Sequence, residues 1–461
     1  MKLCILGGGG FRVPYVYRAL LGDTGTPRVD DVWLYDEDAD RLAVVEGILT
    51  ELAQGHADPP RVSVTTVLDD ALEGADFVFS AVRVGGLLGR TQDERVALEL
   101  GVLGQETTGP GGLAYGLRTI PVMRRFAERV QALAPGAFVI NFTNPAGMIT
   151  EALLPILGDR VVGICDTPSG LGRRVAHALG ADPAEARLDY VGLNHLGWLR
   201  RVVVGDRDLL PELLSDDALL GQLEETEVFG AEWIRSMGVL PNEYLYYYYF
   251  NRDAVRAILD VPRTRGEFLA DQQNAFFRQA RHLHCGPGRA AGVEAFWRQT
   301  VAERRASYMA EAKSGAEHGQ QTTEVVAQAP ELEIDGYAGV ALDLVKAIAR
   351  DEPTTMVLNV RNGATVPGLP EDAVIEVPCT VDAKGPSPLP VTAPDLSQLG
   401  LMQQVKACER LTVQAAVEHD PDAALHAFAL HPLVDSVGIA RELLKGYRDR
   451  IPEVAAALRA P

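Results

Sequence analysis

Gly7 to Gly10, a run of nothing but glycine, directly follow the short apolar stretch Lys2-Leu3-Cys4-Ile5-Leu6 and precede a helix-like stretch from Val13 to Leu21. A strand that ends in glycines and opens into a helix can take φ > 0 and bring backbone N–H groups close to an anion at the helix N-terminus. The next strand pattern, Asp31 to Tyr35, ends at Asp36. A carboxylate there can accept the ribose hydroxyls of a dinucleotide. Gly7, Gly8, Gly9, Gly10 and Asp36 are therefore the candidate cofactor-binding residues. NAD is expected over NADP, whose 2′-phosphate would meet Asp36. The spacing departs from G-x-G-x-x-G, because Val13 and Pro14 stand where a third glycine would fall. A tight turn with a solvated aspartate is the competing explanation.

Strand and helix patterns go on alternating. A helix is expected from Ala39 to Gln54, a strand at Val62 to Thr65, and a short helix at Leu68 to Leu72. Phe77 to Val82, Phe138 to Phe142 and Val161 to Ile164 are apolar and β-rich, as central parallel strands are. The expected fold class is α/β: a Rossmann-type doubly wound parallel sheet over residues 1–165. A mixed α+β domain over residues 166–461 follows, with a C-terminal half of the lactate/malate dehydrogenase kind. In it, strands are expected at Leu188 to Leu193 and Leu199 to Val204, and helices at Glu267 to His284, Glu294 to Lys313 and Gly336 to Arg350. Thr355 to Val360 and Ala373 to Val377 read as part of a second sheet, the Pro-rich stretch 386–395 as a loop, and the last 60 residues as helical.

The net charge of −20 argues against nucleic acid or an anionic membrane as partner. No apolar run reaches the roughly 18 residues of a membrane span, and the N-terminus lacks a signal-peptide pattern. A cytoplasmic enzyme acting on a small molecule is the expectation. The five cysteines, Cys4, Cys165, Cys285, Cys379 and Cys408, include no CxxC pair. Four of them read as inert buried thiols.

Cys165 is the exception. It lies in Gly163-Ile164-Cys165-Asp166-Thr167-Pro168, just after an apolar strand, as do Asn141-Phe142-Thr143-Asn144-Pro145-Ala146 and Gly192-Leu193-Asn194-His195-Leu196-Gly197-Trp198. Strand ends of this kind are where ligands bind in open α/β sheets. Cys165 and His195 together suit a borderline divalent ion with positions left for substrate oxygens. By spacing alone, a buried thiol and a satisfied histidine are the commoner explanation.

The segments NFTNPAG, GICDTP and NHLGW, with GQETTGPGG at 104–112 and the opening ILGGGGFRVP, resemble glycoside hydrolase family 4. The QETTG form is most similar to its 6-phospho-β-glucosidases, and the resemblance continues through MVLNVRNG and LPEDAVIEVP to about residue 380. It implies NAD and a divalent metal, manganese by preference, held by Cys165 and His195. Asn144 and Arg90 would contact the sugar, and Arg265, in Thr264-Arg265-Gly266, the substrate's phosphate. A surface arginine explains Arg265 equally well. Asp166 matches the proposed acid of the α-specific members. Tyr244, in the segment from Pro241 to Tyr249, matches the base, while Tyr246 to Tyr249 read as core. The implied reaction is hydrolysis of 6-phospho-β-glucosides by transient oxidation at C3, C2 deprotonation, C1 elimination and water addition, an exception to two-carboxylate glycosidases. The family also implies a homo-oligomer. The alternatives are an α-glucoside or unphosphorylated specificity, a lactate/malate-type NAD dehydrogenase, and a non-catalytic NAD-dependent sensor.

Overall fold

The computed structural model describes residues 1–285, 292–306 and 336–459, and leaves aside the side chains of 283–285 and 305–306. The side chain of Cys285 and residues 307–313 of an expected helix therefore lie outside the described part. The first strands are β1 (Lys2–Leu6), β2 (Asp31–Tyr35), β3 (Arg61–Thr65), β4 (Phe77–Ser80), β5 (Phe138–Asn141) and β6 (Val161–Gly163). They lie parallel in the order β3-β2-β1-β4-β5-β6. This is the doubly wound arrangement, with its switch point between β1 and β4.

The later strands are β7 (Arg187–Leu193), β8 (Leu196–Val204), β9 (Arg207–Asp208), β10 (Leu240–Pro241), β11 (Thr354–Arg361), β12 (Val374–Asp382) and β13 (Gly385–Pro388). The block expected in a second sheet does not form one. β11 runs antiparallel beside β6, with Asn359 opposite Gly163, and β12 carries the same sheet on to β7, with Glu376 opposite Gly192. The unpaired edge of β6 is thereby satisfied. Gly163 allows the close approach: a Cβ there would lie 2.5 Å from Thr150 Oγ1 and 2.8 Å from Asn359 Cβ. Residues 386–388, expected in a loop, pair with β12 as part of β13.

The last 60 residues are helical as expected, but they pack against the first half of the chain. Cys408, Phe428 and Tyr447 share a buried cluster with Leu6 and Val78. Helices Gly86–Leu98 and Pro110–Leu133, which the sequence did not mark, carry a buried ion pair. Arg118 donates to both carboxylate oxygens of Asp93 at 2.6 Å, and neither side chain is exposed. Arg118 Nε also donates to the carbonyl of Val84, and Tyr447 Oη to that of Asp93. The turn 82–86 is fixed in this way, and with it Arg83 and Arg90. Asp93→Ala would strand a buried guanidinium, so it should cost about 3–5 kcal/mol in chemical denaturation. A loss below about 1 kcal/mol would contradict this account.

Candidate active site

The carboxyl ends of β1, β4, β5 and β6 open onto a cavity of about 2800 Å³. That is well above the roughly 300–1,000 Å³ of a small-molecule pocket, and leaves room for more than one ligand. Gly7, Gly9, Gly10 and Asp36 line one part of it, and Asn144, Cys165, Asp166, His195 and Tyr244 another. Arg90 and Arg265 line it as well. All the residues singled out in the sequence are thus brought to one cavity, except Gly8. Gly8 is buried, and a Cβ on it would lie 2.6 Å from Leu34 Cβ.

In the glycine turn, the backbone donors are used internally. Gly7 and Gly8 both donate to the carbonyl of Tyr35, Gly10 to that of Gly7, and Gly9 to Asp36 Oδ2 at 3.0 Å. Asp36 Oδ1 also accepts from Asp38 N. The glycines therefore supply closeness, and φ of +86° at Gly7, rather than free N–H groups. The helix Val13–Leu21 that follows points its N-terminus, with Arg12 at the cap, toward the same space.

Asn144 ends a turn stapled by the buried Asn141, whose Nδ2 donates to the carbonyls of Thr143 and Ala146 and to Thr150 Oγ1. Cys165 follows β6 and is buried, while Asp166 stands at the N-cap of helix Thr167–Ala178 without capping it by its side chain. His195 is on the two-residue turn of the β7–β8 hairpin at φ 64°, a region histidine tolerates better than most side chains. β8 begins earlier than the sequence pattern suggested, which turns a strand end into this hairpin. The His195 ring stacks on Tyr244 with centroids 3.8 Å apart and planes 9° apart. Tyr244 sits on the single turn Glu243–Leu245, which Asn242 caps by accepting from Tyr244 N at 3.0 Å. Tyr246 and Tyr247 are core as expected, although Tyr247 also reaches the cavity wall.

Burial lowers the imidazole of His195 to about 4, so the ring is neutral at physiological pH. Its Nδ1 is buried with no hydrogen-bond partner among the described residues. Burial, helped by the charges of Glu376 and Asp166, pushes the Cys165 thiol well above its ordinary value, and a nearby cation would be needed to stabilise the thiolate. A neutral imidazole and a thiol facing one cavity fit a borderline divalent ion. Among the described residues, however, no group of three or more His, Cys, Asp and Glu side chains could hold a metal by itself. The remaining coordination positions would fall to substrate or water oxygens.

Several charged side chains around these residues were not singled out in the sequence. Glu106, in the QETTG segment, pairs with Arg83 and accepts from Arg90 Nη1 at 2.5 Å. Burial raises it, but Arg83 and Arg90 together bring its carboxyl down to about 2. Arg90 Nε donates to Glu94 at 3.0 Å, and the other oxygen of Glu94 accepts from Gly266 N at 2.8 Å. Arg265 is thereby set beside Arg90. Burial and the neighbouring Arg12, Arg90, Arg265 and Arg83 all disfavour the charge of Arg304. Arg304 and these four arginines all line the same cavity. Arg83 and Arg304 were not singled out in the sequence, because the partners that define their setting lie far away in the chain.

Residues 2–181 match the model of the family 4 glycosyl hydrolases and residues 190–434 that of their C-terminal domain. The chain belongs to glycosyl hydrolase family 4. It is 31% identical to the probable 6-phospho-beta-glucosidase of Bacillus subtilis, over 96% of this chain and 95% of that one. The 6-phospho-beta glucosidase of Thermotoga maritima, solved with manganese, NAD+ and glucose-6-phosphate, superposes with a TM-score of 0.80 at 26% identity, covering 98% and 99% of the two chains. A 6-phospho-alpha-glucosidase from gut microorganisms, solved with NAD and glucose-6-phosphate, gives 0.81 at 28% identity over 98% and 97%. Among the described residues no helix is long and apolar enough to cross a membrane.

Gly8→Ala would overpack the turn against Leu34. It should lose about 1–3 kcal/mol of stability in chemical denaturation; an unchanged midpoint would show that the turn tolerates a side chain.

Proposed function

We propose that the chain hydrolyses 6-phospho-β-glucosides, using NAD and a divalent cation, manganese by preference, in this cavity. The observation that carries the reading is the gathering of Arg12, Arg83, Arg90, Arg265 and Arg304 around the cavity that also holds Cys165, His195 and Tyr244. Guanidinium groups recognise phosphate oxygens through bidentate hydrogen bonds, which suits this cluster to an anionic ligand. The relatives solved with glucose-6-phosphate support a phosphorylated sugar.

When bound, NAD supplies a reversible hydride acceptor for sugar C3, and the cation a Lewis acid for the neighbouring oxygens. Asp36 accepts from the ribose, and Arg12 with the N-terminus of helix Val13–Leu21 faces the pyrophosphate. Cys165 and His195 hold the cation. Tyr244, stacked on His195, takes the proton from C2, and Asp166 stands beside Cys165 to hold or return a proton at the C1 leaving group. Asn144 and Arg90 orient the sugar, and Arg265 with Arg304 holds its phosphate. Arg90 is itself held by Glu94 and Glu106.

A second reading, cleavage of 6-phospho-α-glucosides, is favoured by one observation: Asp166 lines the cavity directly after Cys165. A panel of chromogenic α- and β-glucosides, with and without 6-phosphate, separates the two when assayed with NAD, manganese and reductant. Cleavage of the 6-phospho-β-glucoside alone is expected. Turnover confined to unphosphorylated or α-linked substrates would reject the first reading. With the active substrate, deuterium at C2 should exchange with solvent water; full retention in the product would rule out Tyr244 as a base at that carbon. Cys165→Ser should abolish manganese-dependent turnover, and full activity in this variant with a chelator present would remove Cys165 from the metal site.

A further inference from the structure

Glu376 is the third residue of β12, 1% exposed, where burial pushes its carboxyl up to about 7. A carboxylate in the interior of a sheet is unfavourable unless donors surround it. Three do so here, and each comes from a different part of the site's scaffold. Asn359 Nδ2 donates at 2.9 Å from β11, Tyr190 Oη at 3.1 Å from β7, and Asn194 Nδ2 at 3.3 Å from the hairpin turn next to His195.

Two of these donors pass the connection on. Asn194 Oδ1 accepts from Ala146 N at 3.1 Å, just beyond Asn144 and Pro145. Tyr190 Oη accepts from Asn242 Nδ2 at 3.2 Å, and Asn242 Oδ1 caps Tyr244 N. One buried carboxylate is thus joined by hydrogen bonds to the backbone next to Asn144, His195 and Tyr244. Its charge also acts on the Cys165 thiol.

We infer that Glu376 is the positioning residue of the metal-binding end of this site, fixing the His195 hairpin and the Tyr244 turn relative to one another. The inference rests on the metal role proposed above for Cys165 and His195. A carboxylate accepts all three donors at once. In Glu376→Gln the amide NH₂ faces donors, so at least one connection is lost together with a negative charge near the cation.

Manganese titration of reduced protein, followed by electron paramagnetic resonance, should show affinity weakened about 10–100-fold in Glu376→Gln, as for other groups that orient metal ligands. NAD affinity, titrated separately, should be unchanged, because the glycine turn is not part of this network. Loss of both affinities together would mark a merely structural carboxylate and overturn the inference, as would parental manganese affinity in the variant. If Glu376→Gln fails to fold, Asn194→Ala, which severs the connection beside His195 and keeps the carboxylate, should show the same selective loss; parental affinity there overturns the inference. Absence of manganese binding in the parent protein would overturn the metal reading and this inference together, whereas normal binding in both parent and variant would overturn this inference alone.

Discussion

The seam between β6 and β11 is the constraint on which the site depends. β6 is the last parallel strand of the nucleotide-binding half, and Cys165 lies just beyond its end. By pairing with it antiparallel, β11 extends the floor of the cavity without interruption to β12, β7 and β8. Gly163 and Asn359 meet at the seam, and Asn359 then reaches Glu376. The glycine turn, the Cys165 segment and the His195 hairpin therefore hang from one hydrogen-bonded surface, and their separations are set by strand spacing. The C-terminal helices add to this by packing Cys408, Phe428 and Tyr447 against the first half. Arg83 and Arg90 depend on the same packing, through Arg118, Asp93 and Tyr447.

Much of this was legible in the sequence, for identifiable reasons. The strands β1 to β6 are short apolar runs bounded by glycine, aspartate and asparagine, and their boundaries were read to within a few residues. The candidate site residues lie in short motifs at strand ends, so finding the strands placed them at one end of the sheet. The join of β11 to β6 was not readable, because no local pattern tells which edge an antiparallel strand will take. The two helices between β4 and β5 were passed over; their glycines and the interior Pro121 mask the apolar period. His195 was located but not its hairpin, since Gly197 and Trp198 gave no sign that β8 had already begun. Glu106, Arg304 and Glu376 were missed for a common reason. A buried charge is defined by partners far away in the chain, and a single sequence does not show them.

The clustered guanidinium groups have a thermodynamic consequence. Repulsion from the neighbouring guanidinium groups, together with burial, disfavours the charge of Arg304, whereas Glu106 and Glu94 favour the charges of Arg83 and Arg90. The repulsion is built into the folded chain and absent from the unfolded one, where the same arginines are far apart in water. An anion that enters the cleft relieves it, and so binds the native state in preference to the denatured one. By mass action, such a ligand raises the free energy of unfolding as its concentration exceeds its dissociation constant. Binding of an anion beside Arg304 and resistance to heat are then one linked equilibrium.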